Sequence, residues 1–545
     1  IPMPHGVKTS MSTGYLYPVE WREVLPGDTF KVNASVAARV STAFLRPVLD
    51  NLVMDVYHFF VPLRLVDKDV AEVFGKPSPS QYEADGLDDF PVTADSMTVT
   101  EKTVYDYLGV RPGTVPAGIN VLPARAFALI WNEWFRNENV VDETYIQKGS
   151  TVTSDDYANN YSWSPSNYTG KLPRVSRKKD YFSSCFPKPQ KGDSVSLPLL
   201  GTIPVRGNGS VLGLDVAAND GTTNVRVGAG AVLGTPTQGN TLFLSPSYPA
   251  YGKTLDFTEY ARATSVLSGR GVGLVQNAAN SGVVADMVGV GVNVNDLRFA
   301  VQLQRMLERD AIYGSRYNEY ILGHYGVSSP DSRLQFSEYL GGGRFPISLQ
   351  EVPQTSAPSE DNPLGAVAAS SLSNGKSFYT KGFTEHGYVF TVACIRQLQH
   401  TYQQGIPRGF LKKNRNDVYD PLFDTLSYQP VYRSELFVDE TETDLKEHVF
   451  GYNEAFADYR FCPSRITGEM RSGATNSFDV WHFGDVYENA PVLNDEFISE
   501  PASFVDRSLA APSSEVDQFL VDFWFDETDI RVMSAYSMPG LVDHH

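Results

Sequence analysis

Alternation of apolar and polar side chains predicts a β-strand close to the start of the chain. The sequence TFKVNASV at residues 29–36 has one apolar face, made by Phe30, Val32, Ala34 and Val36. A period of two residues is that of a strand with one face buried. A β-sheet therefore begins early in the sequence.

Three further segments are almost continuously apolar, which is typical of strands covered on both faces. They are residues 52–62, residues 386–396 and residues 519–525. The first of them ends at Pro62, a residue with no N–H to donate to a neighbouring strand. The pattern thus predicts strands at both ends of the chain.

A period of three to four residues predicts helices between these strands. Phe127, Ile130, Trp131 and Trp134 follow Pro123 at helical spacing. A shorter helix is predicted for residues 101–108, between Thr100 as N-cap and Gly109 as terminator. A third helix is predicted to begin at Asp296 and to end before Gly314. Its buried stripe is Ala300, Leu303, Leu307 and Ala311.

Composition agrees with a fold that is mainly β. The 545 residues include 44 glycines and 34 prolines, and 12% of the side chains are aromatic, which suits short strands joined by many turns. The formal net charge is −19. Such acidity disfavours a protein that coats nucleic acid with its whole surface, so any contact with nucleic acid is expected at a local basic patch.

Residues 201–290 differ from the rest of the chain. They contain 15 of the 44 glycines and few charges. This composition predicts a long surface excursion of turns and short strands. It is compatible with a tolerated insertion and equally with an exposed module that meets a partner.

Motifs of enzymes, metal sites and cofactor sites are missing from the sequence. There is no G-x-S-x-G elbow, no H-E-x-x-H pair and no Walker-type phosphate loop, so no catalytic residue, metal ligand or cofactor is predicted. Cys185, Cys394 and Cys462 are too scattered for a disulfide framework and are interpreted as buried thiols. The sequence contains no run of roughly 18 apolar residues, so no membrane insertion is predicted.

One basic cluster stands out in this acidic chain, because its cations alternate with aromatic rings. It consists of Arg174, Arg177, Lys178, Lys179, Tyr181, Phe182, Lys188 and Lys191. Phosphates attract such cations and bases stack on such rings, so these residues are candidates for contact with single-stranded DNA. The alternative is a loop whose charges pair with nearby acids. That alternative is favoured for a second cluster at residues 408–415.

Several long strings resemble one protein family across nearly the whole chain, in order. They are EVLPGDTFKVN (23–33), LDNLVMDVYHFFVPLRL (49–65), LPARAFALIWNEWFRNEN (122–139), DYFSSCFPKPQKG (180–192), MLERDAIYGSRYNEYILGHYGVSSPDSRLQFSEYLGGG (306–343), FTEHGYV (383–389), TYQQG (401–405), YRFCPSRITG (459–468) and MPGLVDHH (538–545). The chain resembles the major capsid proteins of the microviruses, small single-stranded DNA phages, and is most similar to the gokushovirus branch.

The resemblance implies a fold and a way of working. The expected fold is an eight-stranded antiparallel jelly roll with long, partly helical insertions. Sixty identical subunits would form an icosahedral virion shell around a circular single-stranded DNA genome. The expected partners are a small basic DNA-packaging protein, a pilot protein and a bacterial surface receptor, with synthesis in the bacterial host cytoplasm.

The resemblance also suggests a division of the chain. Jelly-roll strands are expected in residues 1–66, a helical and loop insertion in 67–200, and a variable insertion in 201–290 that forms a threefold protrusion facing the host. Residues 291–380 would hold a helix and long loops, and residues 381–545 the remaining jelly-roll strands and loops.

Two other functions fit a β-rich acidic chain. The main alternative is a carbohydrate-binding or carbohydrate-active β-sandwich, which would need a cleft with facing carboxylates. The other is a secreted surface-layer protein, against which the lack of a visible signal peptide counts.

Overall fold

A computed structural model gives the fold for most of the chain. It describes residues 1–74, 89–93, 96–144, 146, 172–193, 195, 205–207, 214–218, 224–225, 272–276, 283–285, 294–314, 316–353, 367–423, 428–439, 441 and 443–533. The chain divides into two compact units. The first comprises Ile1–Asp193 and Arg305–His545, and the second is Ser194–Gln304.

Twenty strands are present in the described part of the chain. They are β1 (His5–Met11), β2 (Tyr17–Val24), β3 (Thr29–Val40), β4 (Leu52–Pro62), β5 (Met97–Val99), β6 (Gly113–Val115), β7 (Val205–Gly207), β8 (Leu214–Ala218), β9 (Asn224–Val225), β10 (Val272–Gln276), β11 (Val283–Ala285), β12 (Glu338–Pro346), β13 (Leu349–Pro353), β14 (Val367–Gly382), β15 (Gly387–Gln397), β16 (Thr401–Tyr402), β17 (Tyr428–Tyr432), β18 (Val449–Glu454), β19 (Ser464–Arg465) and β20 (Phe519–Ile530).

Two antiparallel sheets form the centre of the first unit. The strand orders are β1-β20-β3-β14-β13 in one sheet and β12-β4-β15-β2 in the other. Strands that follow one another along the chain mostly lie in opposite sheets, as they do in a jelly roll. The predicted mainly β fold is confirmed. The two sheets contain nine strands rather than the predicted eight, because the short β13 extends the first sheet beyond β14.

Strands β4 and β15 form the middle of the second sheet. They pair over eleven residues, from Leu52 opposite Gln397 to Pro62 opposite Gly387. Nearly all of their side chains are buried. One face meets the other sheet, and the other face lies under a helix whose Phe127 ring is 6.4 Å from that of Phe390. Their predicted coverage on both faces is confirmed.

The prediction that strand β20 is covered on both faces was wrong. Its apolar run was expected to be covered on both faces, yet its side chains alternate strictly between buried and exposed. Phe519, Val521, Phe523 and Phe525 point into the core, whereas Leu520 and Trp524 are about half exposed. Within the described residues nothing covers the outer face of this sheet, so the strand has only one buried side.

Ten α-helices lie in the described residues. They are α1 (Leu63–Val66), α2 (Val70–Val73), α3 (Val104–Tyr107), α4 (Leu122–Ile130), α5 (Val294–Tyr313), α6 (Tyr317–Tyr325), α7 (Asp331–Leu334), α8 (Arg408–Leu411), α9 (Asp495–Ile498) and α10 (Ser503–Asp506). A π-helical segment, Trp131–Phe135, continues α4.

All three predicted helices exist, with shifted starts. Helix α3 is shorter than expected and begins after Thr103, but Gly109 follows it with a φ of 98°. Helix α5 begins two residues before Asp296 and ends before Gly314, which has a φ of 97°. Both glycines have the left-handed backbone of a helix terminator.

The predicted division of the chain missed part of the sheet. Residues 291–380 were expected to hold a helix and long loops, yet they supply β12, β13 and β14. The sequences EYLGGGRFP and VAASSLSNGKSFYTKG are rich in glycine and serine, so their apolar alternation is weak. The tertiary structure, rather than a local sequence pattern, pairs β12 with β4 and β14 with β3.

The described parts of residues 201–290 are the strands β7 to β11, which pair as β10-β8-β9 and β11-β7. The remaining residues of this excursion lie outside the described part of the chain. No helix among the described residues is long and apolar enough to cross a membrane.

The cysteine prediction holds for two thiols. All three cysteines are free; Cys185 and Cys394 are buried, but Cys462 is exposed. It lies in a loop after β18, outside both apolar clusters of buried residues.

Candidate nucleic-acid interface

The basic segment, residues 172–193, is tied by its backbone to three separate parts of the first unit. Arg174 bridges Tyr15 near β2, Ser176 bridges Ser499 at the end of α9, and Phe186 bridges Tyr452 in β18. From Arg174 to Lys178 the side chains alternate between half-buried and buried, as they do along an extended backbone. The segment therefore contributes both to the interior and to the surface.

Arg177 lies inside the protein within a network of charged groups. Its guanidinium is 2.5 Å from Asp485, and its carbon atom lies 4.7 Å above the centre of the Phe497 ring. On the other side of Asp485, the His400 Nδ1 is 2.9 Å from this carboxylate, while the His400 Nε2 is 2.8 Å from Glu500. All four charged side chains are almost completely buried.

The electrostatics of this network follow from its pairing. Burial opposes ionisation of Asp485, but Arg177 and His400 hold its pKa well below the usual range. Burial also acts against a charged His400, yet Glu500 and Asp485 raise its pKa to about 9. At neutral pH the network therefore holds two cations and two carboxylates, which is the balance that a buried cluster needs.

A second buried carboxylate, Asp55 of β4, collects three cations. Arg344 Nε lies 2.7 Å from Asp55 Oδ1, Arg396 lies 2.7 Å from Oδ2, and Lys178 Nζ lies 3.0 Å from Oδ2. Burial alone would raise the pKa of Asp55, but these cations bring it well below its ordinary value. Lys178 thus links the basic segment to the second sheet.

The two predicted stacking rings are also internal. Tyr181 donates its hydroxyl to Glu435 at 2.9 Å, and the Phe182 ring meets the Tyr402 ring edge-on at 4.7 Å between centres. Both belong to a second cluster of buried residues, beside the C-terminal loops. Together with Arg177 they have no surface with which DNA could make contact, so the structure gives these three a structural role instead of the predicted one.

The other candidates keep access to solvent. Lys179 and Lys188 are exposed, and Arg174 and Lys191 are half-buried. Lys191 donates to the Gly314 carbonyl at the end of α5, at 2.9 Å. Sequence reasoning could not separate these cations from Arg177, because charge patterning along a loop does not show which side chains turn inward.

A cleft of about 410 Å³ lies beside the basic segment. Lys179, Arg136, Arg316 and Arg396 line it together with aromatic rings that include Trp134 and Phe186. Two acids balance part of this charge: Glu138 pairs with Arg316 at 3.2 Å, and Glu319 has a pKa raised by burial and by Glu138. Sequence reasoning missed this cleft, whose lining comes from widely separated segments.

Three of the four cations in the second basic cluster pair with acids, as the sequence favoured. Arg408 lies 2.6 Å from Glu435, Lys412 lies 2.5 Å from Asp458, and Arg415 lies 3.5 Å from Asp420. The charges at residues 408–415 therefore serve mainly to hold the C-terminal loops.

One cluster in the described residues has side chains suited to a cation. Ligand atoms of His5, Glu20 and Glu527 lie within 4.8 Å of one another. However, hydrogen bonding to Glu20 raises the pKa of His5 to about 9, so the ring is protonated at neutral pH and has no lone pair to offer. Arg22 lies 2.5 Å from Glu527, which makes this a cluster of ion pairs.

The chain resembles known proteins along its whole length. The family model described as "Capsid protein (F protein)" matches residues 1–541. The capsid protein VP1 of Spiroplasma virus 4 is 34% identical, with 99% of this chain and 95% of the relative covered. The capsid protein VP1 of Chlamydia phage 1 is 33% identical over 98% of this chain and 94% of the relative.

A third relative gives the same picture. The capsid protein VP1 of Bdellovibrio phage phiMH2K is 32% identical, in a match that covers 98% of this chain and 94% of the relative. All three relatives belong to gokushoviruses, the branch that the sequence strings indicated. The chain belongs to the F-protein family of microvirus capsid proteins, which are structural proteins and not enzymes.

Proposed function

We propose that this chain is the major capsid subunit of a small single-stranded DNA phage, sixty copies of which assemble into an icosahedral shell around a circular genome. Its membership of the F-protein family supports this function. The virion is then its place of action, and the host cytoplasm its place of synthesis.

Large apolar side chains that are exposed on the single chain support the proposal that it assembles with other copies. Four that lie on separate segments are more than two-thirds exposed: Tyr325 of α6, Phe410 of α8, and Leu49 and Leu422 in loops. Soluble monomers rarely leave large apolar patches in water. A shell subunit needs several such patches, since it contacts several neighbours through different surfaces.

The genome requires positive charge that the subunit does not carry overall. A charge of −19 per copy repels DNA, so a small basic packaging protein is the expected partner. The cations of the basic segment that keep access to solvent, Arg174, Lys179, Lys188 and Lys191, would add a local contribution. Packaged DNA that stays unchanged after charge reversal of Lys179 and Lys188 would contradict this contribution.

Residues 201–290 are proposed to form a threefold protrusion that meets a bacterial surface receptor. The second unit, Ser194–Gln304, is compact by itself, which supports an independent module. A pilot protein completes the expected set of virion partners.

Electron microscopy of the purified protein tests the proposal, combined with nuclease protection on the same sample. We expect closed particles of uniform size that protect single-stranded DNA. A monodisperse monomer without DNA, under conditions where the packaging protein is also supplied, would overturn the proposal. A positive glycan-binding screen on that monomer would then favour the carbohydrate-binding alternative.

A further inference from the structure

Within the described residues, the outer face of the first sheet is uncovered over four strands, β1, β20, β3 and β14. Its outward side chains fall into rows across the sheet, because the register of the strands is fixed. One row runs Gly6, Trp524, Ser35, Lys376, and another runs Ser10, Leu520, Arg39, Leu372. The inner side chains of the same strands form the core, so this face and the core are opposite sides of one sheet.

Two aromatic rings stand on this face. Trp524 of β20 is 53% exposed, and Phe378 of β14 is 74% exposed. They lie two strands and one row apart, which corresponds to about 12 Å from the ordinary spacing of strands and residues. The Trp524 ring lies against Gly6 of β1, since a Cβ atom on Gly6 would be 3.3 Å from it. The exposed part of a ring fixed on a rigid sheet can stack on unpaired bases.

The charge of this face is opposite to that of the whole chain. Its outward positions carry four cations, Lys8, Lys31, Arg39 and Lys376, and two acids, Asp522 and Asp526. Lys8 pairs with Asp522 at 3.0 Å. Among the described residues, Lys31, Arg39 and Lys376 have no ion-pair partner, although most buried or half-buried cations of this chain are paired. The face is therefore locally basic in a protein of net charge −19.

We propose that this outer sheet face, built around Trp524 and Phe378, binds single-stranded DNA. The rings stack on bases, and Lys31, Arg39 and Lys376 lie between and beside them where the phosphates would pass. Ser35 and Asn33 on β3 are short and polar, which lets a strand approach the sheet between the two rings. Leu372 and Leu520 add exposed apolar surface to the same face. Binding to this face is not sequence-specific, because stacking and phosphate contacts are possible with every base.

This inference rests on the proposed function in one respect: in a closed shell, the face would have to point toward the genome. The charge decides between possible occupants. A small basic protein would be repelled by the unpaired cations. A second copy of this acidic chain would have to bring an acidic patch against them, and it would leave the stacking rings without a special role.

Titration of the full-length, unassembled chain with a fluorescent 20-nucleotide poly(dT) tests the assignment. Trp524→Ala and Phe378→Ala should each weaken binding about tenfold, which corresponds to loss of one stacked base. Phe410→Ala is the matched control, since Phe410 is 78% exposed and belongs to α8, not to a strand of this sheet. Equal affinities for all three variants and the unmodified chain would overturn the inference.

The salt dependence tests the cations separately. The triple variant Lys31→Gln, Arg39→Gln and Lys376→Gln should lower the slope of log affinity against log salt by about two, at roughly 0.7 per phosphate contact on a single strand. The control triple Arg111→Gln, Lys413→Gln and Arg415→Gln removes exposed cations elsewhere and should leave the slope nearly unchanged. Equal slopes in the two triples would contradict the assignment.

Particle formation by the same variants separates this inference from the proposed function. If the unmodified chain forms DNA-filled shells while the face variants bind poly(dT) normally, the shell function stands and the DNA face is wrong. If the unmodified chain forms no shells but the face variants lose affinity, the opposite holds. Face variants that fail to assemble but bind poly(dT) normally would identify a contact between copies and overturn the inference.

Discussion

The cations of the basic segment fall into two groups, one that pairs with buried acids and one that is exposed to solvent. Arg177 and Lys178 turn inward and neutralise Asp485 and Asp55, whereas Lys179 and Lys188 remain in water. An inward cation with a buried partner stabilises one arrangement of loops, because removal of either partner leaves a charge with little solvation. The outward cations are free to meet an anionic ligand.

Removal of the Arg177 charge should destabilise the protein strongly. Arg177→Met leaves Asp485 buried with only His400 as a cationic partner, and such a change typically costs about 3–5 kcal/mol of unfolding free energy. The control Arg460→Met breaks an exposed pair with Glu454 and should cost less than about 1 kcal/mol. Thermal or denaturant unfolding of the two variants measures the difference. Similar losses in both would show that the Arg177 pair is not effectively buried.

Stability should fall as the pH rises from about 6.5 to 9, because of His400. Its folded-state pKa of about 9 lies above the unfolded value of 6.5, so the folded protein binds the extra proton. The contribution is complete below about pH 6.5 and is lost as the pH passes 9. Its size is on the order of 3 kcal/mol for a group with this shift.

The matched variant for this pH effect is His400→Gln. Asp485, Glu500 and Arg177 surround the ring, and glutamine preserves hydrogen bonding without a titrating group. Since His5 also has a pKa raised to about 9, the informative quantity is the difference between the two unfolding curves across pH 6–10. An identical pH dependence in both proteins would refute the role of His400.

At the scale of elements, the turn between β1 and β2 joins the sheet to the basic segment. Gly14 donates its N–H to Ile395 in β15 and accepts from Val175, at 2.9 and 3.0 Å. Its φ is 95°, and a Cβ atom there would lie 2.2 Å from the carbonyl oxygen of Glu500. The turn therefore requires glycine for its backbone and for the space it leaves.

A pair of glycine variants separates these two requirements. Gly109 has a nearly identical φ of 98° but open space around it, so Gly109→Ala should cost only about 1 kcal/mol of backbone strain. Gly14→Ala should cost about 2 kcal/mol more, because the carbonyl of Glu500 must also move. Denaturant unfolding of both variants provides the comparison. Equal costs would show that the loop at Glu500 yields freely.

At the scale of the whole molecule, the jelly roll and the glycine-rich excursion are separate compact units. Among the residues whose burial is described, the core of the first unit is assembled from both sheets and from α4. Its stability should therefore depend little on that excursion.

Replacement of residues 201–290 by a flexible glycine-serine linker tests this independence. We expect the midpoint of thermal unfolding of the first unit to change by only a few degrees, since lengthening or shortening a loop alters its closure entropy slowly. Circular dichroism during heating measures the midpoint. Loss of the β-sheet signal in the deletion variant, with the full chain folded under the same conditions, would contradict it. Assembled particles of this variant should also fail to adsorb to the host.

The sequence predicted the parts of the fold in which local pattern and burial agree. Strands β3, β4 and β15 were predictable because their alternating or continuous apolar runs match their final burial. The glycine-rich β12 and β14 were not, since they gain their place from pairing with other strands. Of the candidate DNA contacts, Arg177, Tyr181 and Phe182 are buried, and Lys178 is half-buried and paired with Asp55. The other four keep access to solvent.

The order of apolar runs, the turn residues and the family strings were sufficient by themselves to determine a mainly β capsid protein with helical insertions. Only the tertiary structure decided which face of β20 is covered, which cations become buried partners of Asp55 and Asp485, and which rings stand in water. The physical reason is that the spacing of apolar residues along the chain indicates only whether the local backbone is a helix or a strand. Burial and charge pairing depend on residues hundreds of positions away, such as Arg177 and Asp485.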